Sequence, residues 1–159
     1  RQLSLTLLRS PQFPDPECDL GSRVIEWSIL ADHGDASVHL VEEEAARLAH
    51  PVRRSSGVLV AGRVGLDVQG VGILVSAVKS ADDGSGDLVV RLWECRGARS
   101  RGRLSVTGRS GGVLECSALE DAVPDEERRT AAQEVVCGDD RITVELDLAP
   151  FEIRTYRFR

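Results

Sequence analysis

The chain has 159 residues, about the size of one domain, with 26 acidic and 20 basic side chains and a net charge of −6. Hydrophobic residues make up 42%, enough for a packed core and against wholesale disorder. The acidic balance argues against a general nucleic-acid binder, and no apolar run approaches the roughly 18 residues needed to span a bilayer. Met is absent, so Arg1 is read as an internal start and the chain as a fragment or processed product. Asn is absent too, which removes any N-glycosylation acceptor. Lys79 is the one lysine beside many arginines, and with abundant Ala, Gly and Val this points to a GC-rich, bacterial source. No secretion signal opens the chain, so a cytoplasmic location is expected. Cys18, Cys95, Cys116 and Cys137 show no C-x-x-C spacing, and a core of this size needs no disulfide. They are read as reduced and mostly buried.

Along the chain, Leu3, Leu5 and Leu7 alternate with Ser4 and Thr6, the period of a half-buried strand. Pro11, Pro14 and Pro16 impose an extended loop. Val24 to Leu30 is a second strand candidate, with Ile25, Trp27 and Ile29 on one side. Asp32-His33-Gly34-Asp35 reads as a turn, with Asp35 as N-cap. Val38, Val41, Ala45 and Leu48 then recur at helical spacing, which predicts one α-helix over 36–49, ended by Pro51. Short β-branched runs follow at 58–60, 64–68, 73–78 and 88–93, with Asp82-Asp83-Gly84-Ser85-Gly86 as a turn between the last two. Further strands are expected at 102–107, 113–116, 141–147 and 151–158, while 120–133 reads as a loop or short exposed helical turn. The fold expected is mainly β: an antiparallel β-sandwich with one helix, forming a single domain over 1–159.

Several motifs have plain structural readings. Gly108-Arg109-Ser110-Gly111-Gly112 matches G-x-S-x-G but lies between strands with no helix after it, so it is read as a hairpin loop. His33, His39 and His50 fit no metal-ligand spacing, and His39 is expected to face out of the helix. Gly62, Gly65, Gly70 and Gly72 read as strand ends and bulges rather than a nucleotide loop. Arg96, Arg99, Arg101, Arg103 and Arg109 are read as a solvated loop rather than a phosphate site. The adjacent acidic pairs nominate no glycosidase acid and nucleophile. The loop from Asp15 to Arg23 combines rigidity with polar groups, and Gly21 permits close approach of something to its backbone.

Longer words are more specific. Leu5-Thr6-Leu7-Leu8-Arg9-Ser10-Pro11, Pro14-Asp15-Pro16 and Asp19-x-Gly21 resemble the start of the C-terminal β-sandwich domain of α-mannosidases of glycoside hydrolase family 38. In order there follow His33-Gly34, His50-Pro51, Ser76-Ala77-Val78-Lys79, Asp82-Asp83-Gly84, Leu88 to Glu94 and Pro150 to Thr155, covering nearly the whole chain. The resemblance implies a retaining glycosidase acting on α-linked mannose, whose zinc and catalytic aspartate lie in a separate N-terminal domain. This chain would then hold no catalytic residue and no metal. Its partners would be that catalytic domain and, through the whole enzyme, a mannose-containing glycan; an oligomer is compatible, and a membrane is not implied. The resemblance carries Asp19 and Gly21 over as contributors to the sugar pocket. Arg23 stands where the family commonly has His, placing a permanent charge where a ring could switch. The alternative is a free-standing carbohydrate-binding or protein-interaction sandwich. Against sugar binding, most of Trp27, Trp93, Tyr156 and the three Phe are expected at buried strand positions.

Overall fold

The structure, a computed structural model, describes residues 2–31, 38–50, 65–124, 136–138 and 140–159. The expected turn at 32–35 with its cap, the stop at Pro51, the strand at 58–60, Gly62 and most of 120–133 lie outside the described residues. The chain divides into two compact units, 1–31 and 32–159.

Residues 2–31 carry no helix or strand. The strands expected at Leu3–Leu7 and Val24–Leu30 are therefore not formed among the described residues. Alternation is a property of the side chains, whereas a strand needs a neighbour for its N–H and C=O groups, and no described residue pairs with these segments.

The helix forms as α1, Val38–Ala49. Arg47 in its last turn pairs with Glu43 at 3.8 Å and with Glu44, the (i, i+4) and (i, i+3) neighbours. Its apolar stripe is not covered: Val41 is 48% and Leu48 41% exposed. His39, expected to face out, is instead half-buried, with Nδ1 shut away from solvent. An open groove of about 500 Å³, lined by Glu42, Glu43, Ala46, Leu74, Val75 and Trp93 among others, lies between the helix and the sheet.

The strands β1 Gly65–Gln69, β2 Ile73–Ser80, β3 Leu88–Glu94, β4 Ser100–Thr107, β5 Val113–Cys116, β6 Val136–Gly138, β7 Arg141–Leu148 and β8 Ile153–Phe158 build the sandwich. One sheet has the order β1-β4-β7-β6 and the other β2-β3-β8-β5, and every pairing is antiparallel. β6 is not signalled by the sequence, because three residues are too few for a period to show. Inward residues of the two sheets meet in one core: Val90, Leu92, Tyr156 and Phe158 against Leu104, Val106, Ile142, Val144, Leu146 and Leu148.

Among the described strands, only the β2–β3 and β6–β7 connections stay within one sheet, and the other five cross to the opposite sheet. Crossings need sharp reversals, and positive-φ glycines stand at three of them: Gly70 and Gly72, Gly97, and Gly108 and Gly112. Gly108–Gly112 is thus a sheet-to-sheet crossing rather than a hairpin. Its Gly111 N–H is bonded to the Arg159 carbonyl at 2.9 Å, and the Arg159 N–H to the Gly112 carbonyl at 3.0 Å.

Gly102 on β4 lies close against the end of β1. A Cβ there would lie 2.0 Å from the Gln69 carbonyl oxygen. Gly102→Ala must push the strands apart and should destabilise the sandwich by about 1–3 kcal/mol, an overpacking cost. Urea denaturation checks this; an unchanged midpoint would contradict the close approach.

Candidate functional site

The sequence-nominated residues lie in the loop between Ser10 and Arg23. Asp15 Oδ1 accepts the Glu17 N–H at 2.9 Å, an Asx turn of the kind Asp-Pro sequences favour. Asp19, only 18% exposed at its side chain, uses both oxygens: Oδ2 accepts the Ser10 N–H at 2.9 Å, and Oδ1 pairs with the Arg23 guanidinium at 3.2 Å. Arg23 also donates to the Cys18 carbonyl. The structure therefore brings Asp19 and Arg23 together, with Gly21 as the bend between them at φ +106°. Nothing lies within 4 Å of where a Gly21 Cβ would stand, so its backbone is open to approach. Arg23 thus directs its guanidinium to groups of its own loop.

The most heavily bonded group was not singled out by sequence reasoning. Glu94 closes β3 and is fully buried. Its Oε1 accepts the Arg96 N–H at 3.0 Å and the Ser100 hydroxyl at 3.0 Å. Its Oε2 accepts N–H groups from Gly97 at 2.8 Å, Ala98 at 3.2 Å and Phe151 at 3.1 Å. Burial pushes this carboxyl up, but the bonds from Phe151, Arg96, Ser100 and Gly97 outweigh it and hold the group below its usual 4.5. Phe151 has φ 58°, and its ring lies over Gly97, where a Cβ would come within 2.5 Å of the ring. The available signal was a Glu at a strand end followed within a few residues by a glycine turn, a pattern too common to decide anything alone.

The network extends from there. The Glu94 N–H is bonded to the Glu152 carbonyl at 2.9 Å. The Glu152 carboxylate accepts from Arg154 Nε at 3.0 Å, and Arg154 also donates to the Asp147 carbonyl at 2.9 Å. Beside Arg154 the buried Tyr156 phenol is pushed up to about 12 by burial, which the guanidinium partly offsets.

The arginine cluster is solvated as expected, with Arg99 and Arg101 70% and 78% exposed at their side chains, but it is only partly loop. Arg101 and Arg103 lie on β4, and across the sheet face Asp147 takes Arg99 at 2.6 and 2.8 Å and Arg101 at 3.4 Å, while Glu145 takes Arg103 at 2.7 Å. Arg99 holds the Asp147 carboxyl below the usual carboxylate range. On the other sheet, Arg157 clamps the β2–β3 turn through Asp87 at 2.6 Å, Asp83 at 2.5 Å and Ser85 at 3.0 Å. Hydrogen bonds from the Ser85 N–H and hydroxyl, then from Arg157, bring Asp83 down to about 2. Glu120, at φ 71°, accepts from Lys79 Nζ at 2.6 Å and the Asp82 N–H at 2.8 Å.

Cys95 and Cys116 are buried free thiols, each pushed up chiefly by burial, whereas Cys18 is a free thiol on the surface. Among the described residues no three His, Cys, Asp or Glu side chains converge as a metal site. The aromatics depart from expectation: Phe13 (86%), Trp27 (54%) and Phe151 (68%) are exposed, and only Tyr156 and Phe158 are buried. Phe13 lies at a bend, Phe151 in a turn, and Trp27 in a segment that forms no strand or helix.

Comparison with known proteins gives two matches. The family described as "Glycosyl hydrolases family 38 C-terminal beta sandwich domain" matches residues 72–156, more than half of the chain. The chain is also similar to "Alpha-mannosidase G" of Dictyostelium discoideum, 27% identical over 169 aligned residues. That alignment takes in 99% of this chain but only 14% of the relative's length.

Glu94→Gln puts an amide donor against converging N–H groups and should cost about 3 kcal/mol of stability. Because the folded-state value lies below 4.5, the carboxylate's contribution is complete above that pH and is lost as pH falls through the depressed value. The stability gap between wild type and variant, measured by urea denaturation, should therefore narrow below about pH 4.5. A gap independent of pH would contradict the assignment.

Proposed function

Since the chain belongs to the C-terminal β-sandwich domains of glycosyl hydrolase family 38, we propose that it is a non-catalytic domain of an α-mannosidase, supporting a catalytic domain in the same polypeptide. The observation that carries this reading is the family match across the sandwich, 72–156, together with a relative named for that activity. The internal chemistry is in keeping with it: the buried or clamped carboxylates Glu94, Asp19, Glu120 and Asp147 are engaged by donors of this chain. The parent enzyme would be a retaining glycosidase on α-linked mannose, its zinc held in the catalytic domain.

We further propose that 1–159 acts as one functional piece in which the loop of Asp19, Gly21 and Arg23 forms one wall of the sugar site. The open backbone at Gly21 supports this, since it leaves room for a ligand beside the carboxylate. The arginine-rich, lysine-poor composition supports a bacterial source, with cytoplasmic location as the corresponding expectation.

A second reading, a carbohydrate-binding module, draws support from the exposed Phe13, Trp27 and Phe151, since planar aromatics stack on sugar rings. Calorimetric titration of the 159-residue chain with α-mannosides separates the two, because tight binding by the chain alone favours the module.

For the first reading, the complete polypeptide should hydrolyse a chromogenic α-mannoside, and the 159-residue chain should show no turnover with or without added zinc. Zinc-dependent turnover by the 159-residue chain would overturn it.

A further inference from the structure

We propose that residues 2–9 and 22–31 are two donor strands that complete a β-sheet in the part of the same polypeptide lying outside these 159 residues. This rests on the reading of the chain as a piece of an α-mannosidase and names the surface through which it joins the rest.

The backbone makes the first argument. Both segments run without helix, strand or turn, and no described residue pairs with them in a ladder. Their side chains nevertheless alternate as a strand's do. Leu3, Leu5 and Leu7 are 87%, 59% and 52% exposed, and Ile25, Trp27 and Ile29 are 44%, 54% and 69% exposed. A period of two is the signature of one face buried on a sheet, and burying that face requires partners for the backbone groups as well. Only another sheet supplies both, which is the mode of strand addition.

The protections expected of a strand that lives in water are missing. Residues 2–8 contain no charge and no proline, and 24–30 contain one charge, Glu26. Natural edge strands are blunted by charge, proline or bulges, so an apolar, unblunted strand is one that is normally paired.

The loop between the segments is built to hold them in register. One carboxylate, Asp19, holds the Ser10 N–H at 2.9 Å and the Arg23 guanidinium at 3.2 Å. Both arms therefore leave from a single clamp, which lowers the ordering cost of inserting the pair. The occupant follows from the comparisons. The family match starts at residue 72 and leaves the arms out, whereas the α-mannosidase relative aligns with 99% of the chain, arms included. That relative has the chain to supply a sheet, since this sequence answers to 14% of it.

Hydrogen–deuterium exchange, followed by mass spectrometry, tests the proposal. In the 159-residue chain, amides of 3–8 and 24–30 should exchange nearly as fast as unstructured peptide. In the complete polypeptide they should slow by about 100-fold or more. Ser28→Pro in the complete polypeptide removes one ladder donor and should restore fast exchange in both arms, while peptides of β3 and β7 stay protected. Fast exchange of the arms in the complete polypeptide overturns the proposal. So does protection already present in the 159-residue chain, whether independent of concentration (pairing within the chain) or rising with it (pairing with a second copy). Hydrolysis of the α-mannoside is read separately: activity with freely exchanging arms sinks strand donation alone, and protected arms without activity sink the enzymatic reading alone.

Discussion

A single buried carboxylate organises one end of this sandwich. Glu94 sits at the end of β3, out of water, and is tolerated as a charge because N–H and O–H groups converge on it. Those donors come from two different crossings, β3 to β4 and β7 to β8. The carboxylate thus fixes the path of the chain at two places where it leaves one sheet for the other. At the second crossing Phe151 has positive φ and its ring lies over Gly97. The same end is braced by Glu152 and Arg154, so polar groups there form a closed network rather than a reactive one.

The crossings explain the rest of the architecture. Crossings between sheets need tight reversals, and the glycines at 70, 72, 97, 108 and 112 permit three of the five made by the described strands. The charged side chains are then distributed to hold what the crossings leave open. Arg157 closes the β2–β3 turn, Glu120 draws the segment after β5 onto Lys79 and Asp82, and Asp147 gathers Arg99 and Arg101 on the outer face. Such clamps locate the domain's polar chemistry in its own integrity, which accords with a supporting role beside a catalytic domain.

The first unit obeys a different logic. Residues 2–31 have the composition and periodicity of sheet but lack a sheet to join within the described residues. Asp19 shapes the connecting loop while the arms keep their apolar faces in water. The free energy of covering those faces is still to be gained, and gaining it requires a neighbour with an open edge.

Sequence alone determined the class of the fold and most of its elements. Alternation at Ile142, Val144, Leu146 and Leu148 reports directly which residues enter the core, and the Asp-Gly turn at 82–86 fixes a local reversal by the conformations its own residues allow. The longer words also carried the family. What tertiary structure decided were matters of partnership. The G-x-S-x-G run is a glycine turn either way, and only the sheet order makes it a crossing instead of a hairpin. The stripe on α1 is apolar either way, and only the structure shows that Val41 and Leu48 stay exposed. The arginines after Glu94 are cations in any reading, and the register of β4 on β7 sets them against Asp147 and Glu145. Glu94 itself looks like any acidic residue at a strand end until the turn that follows it and the distant Phe151 bring their N–H groups to it. Local propensity is written in neighbouring residues, whereas burial and charge pairing depend on which distant segments arrive, and the arms at 2–9 and 22–31 show that dependence most plainly.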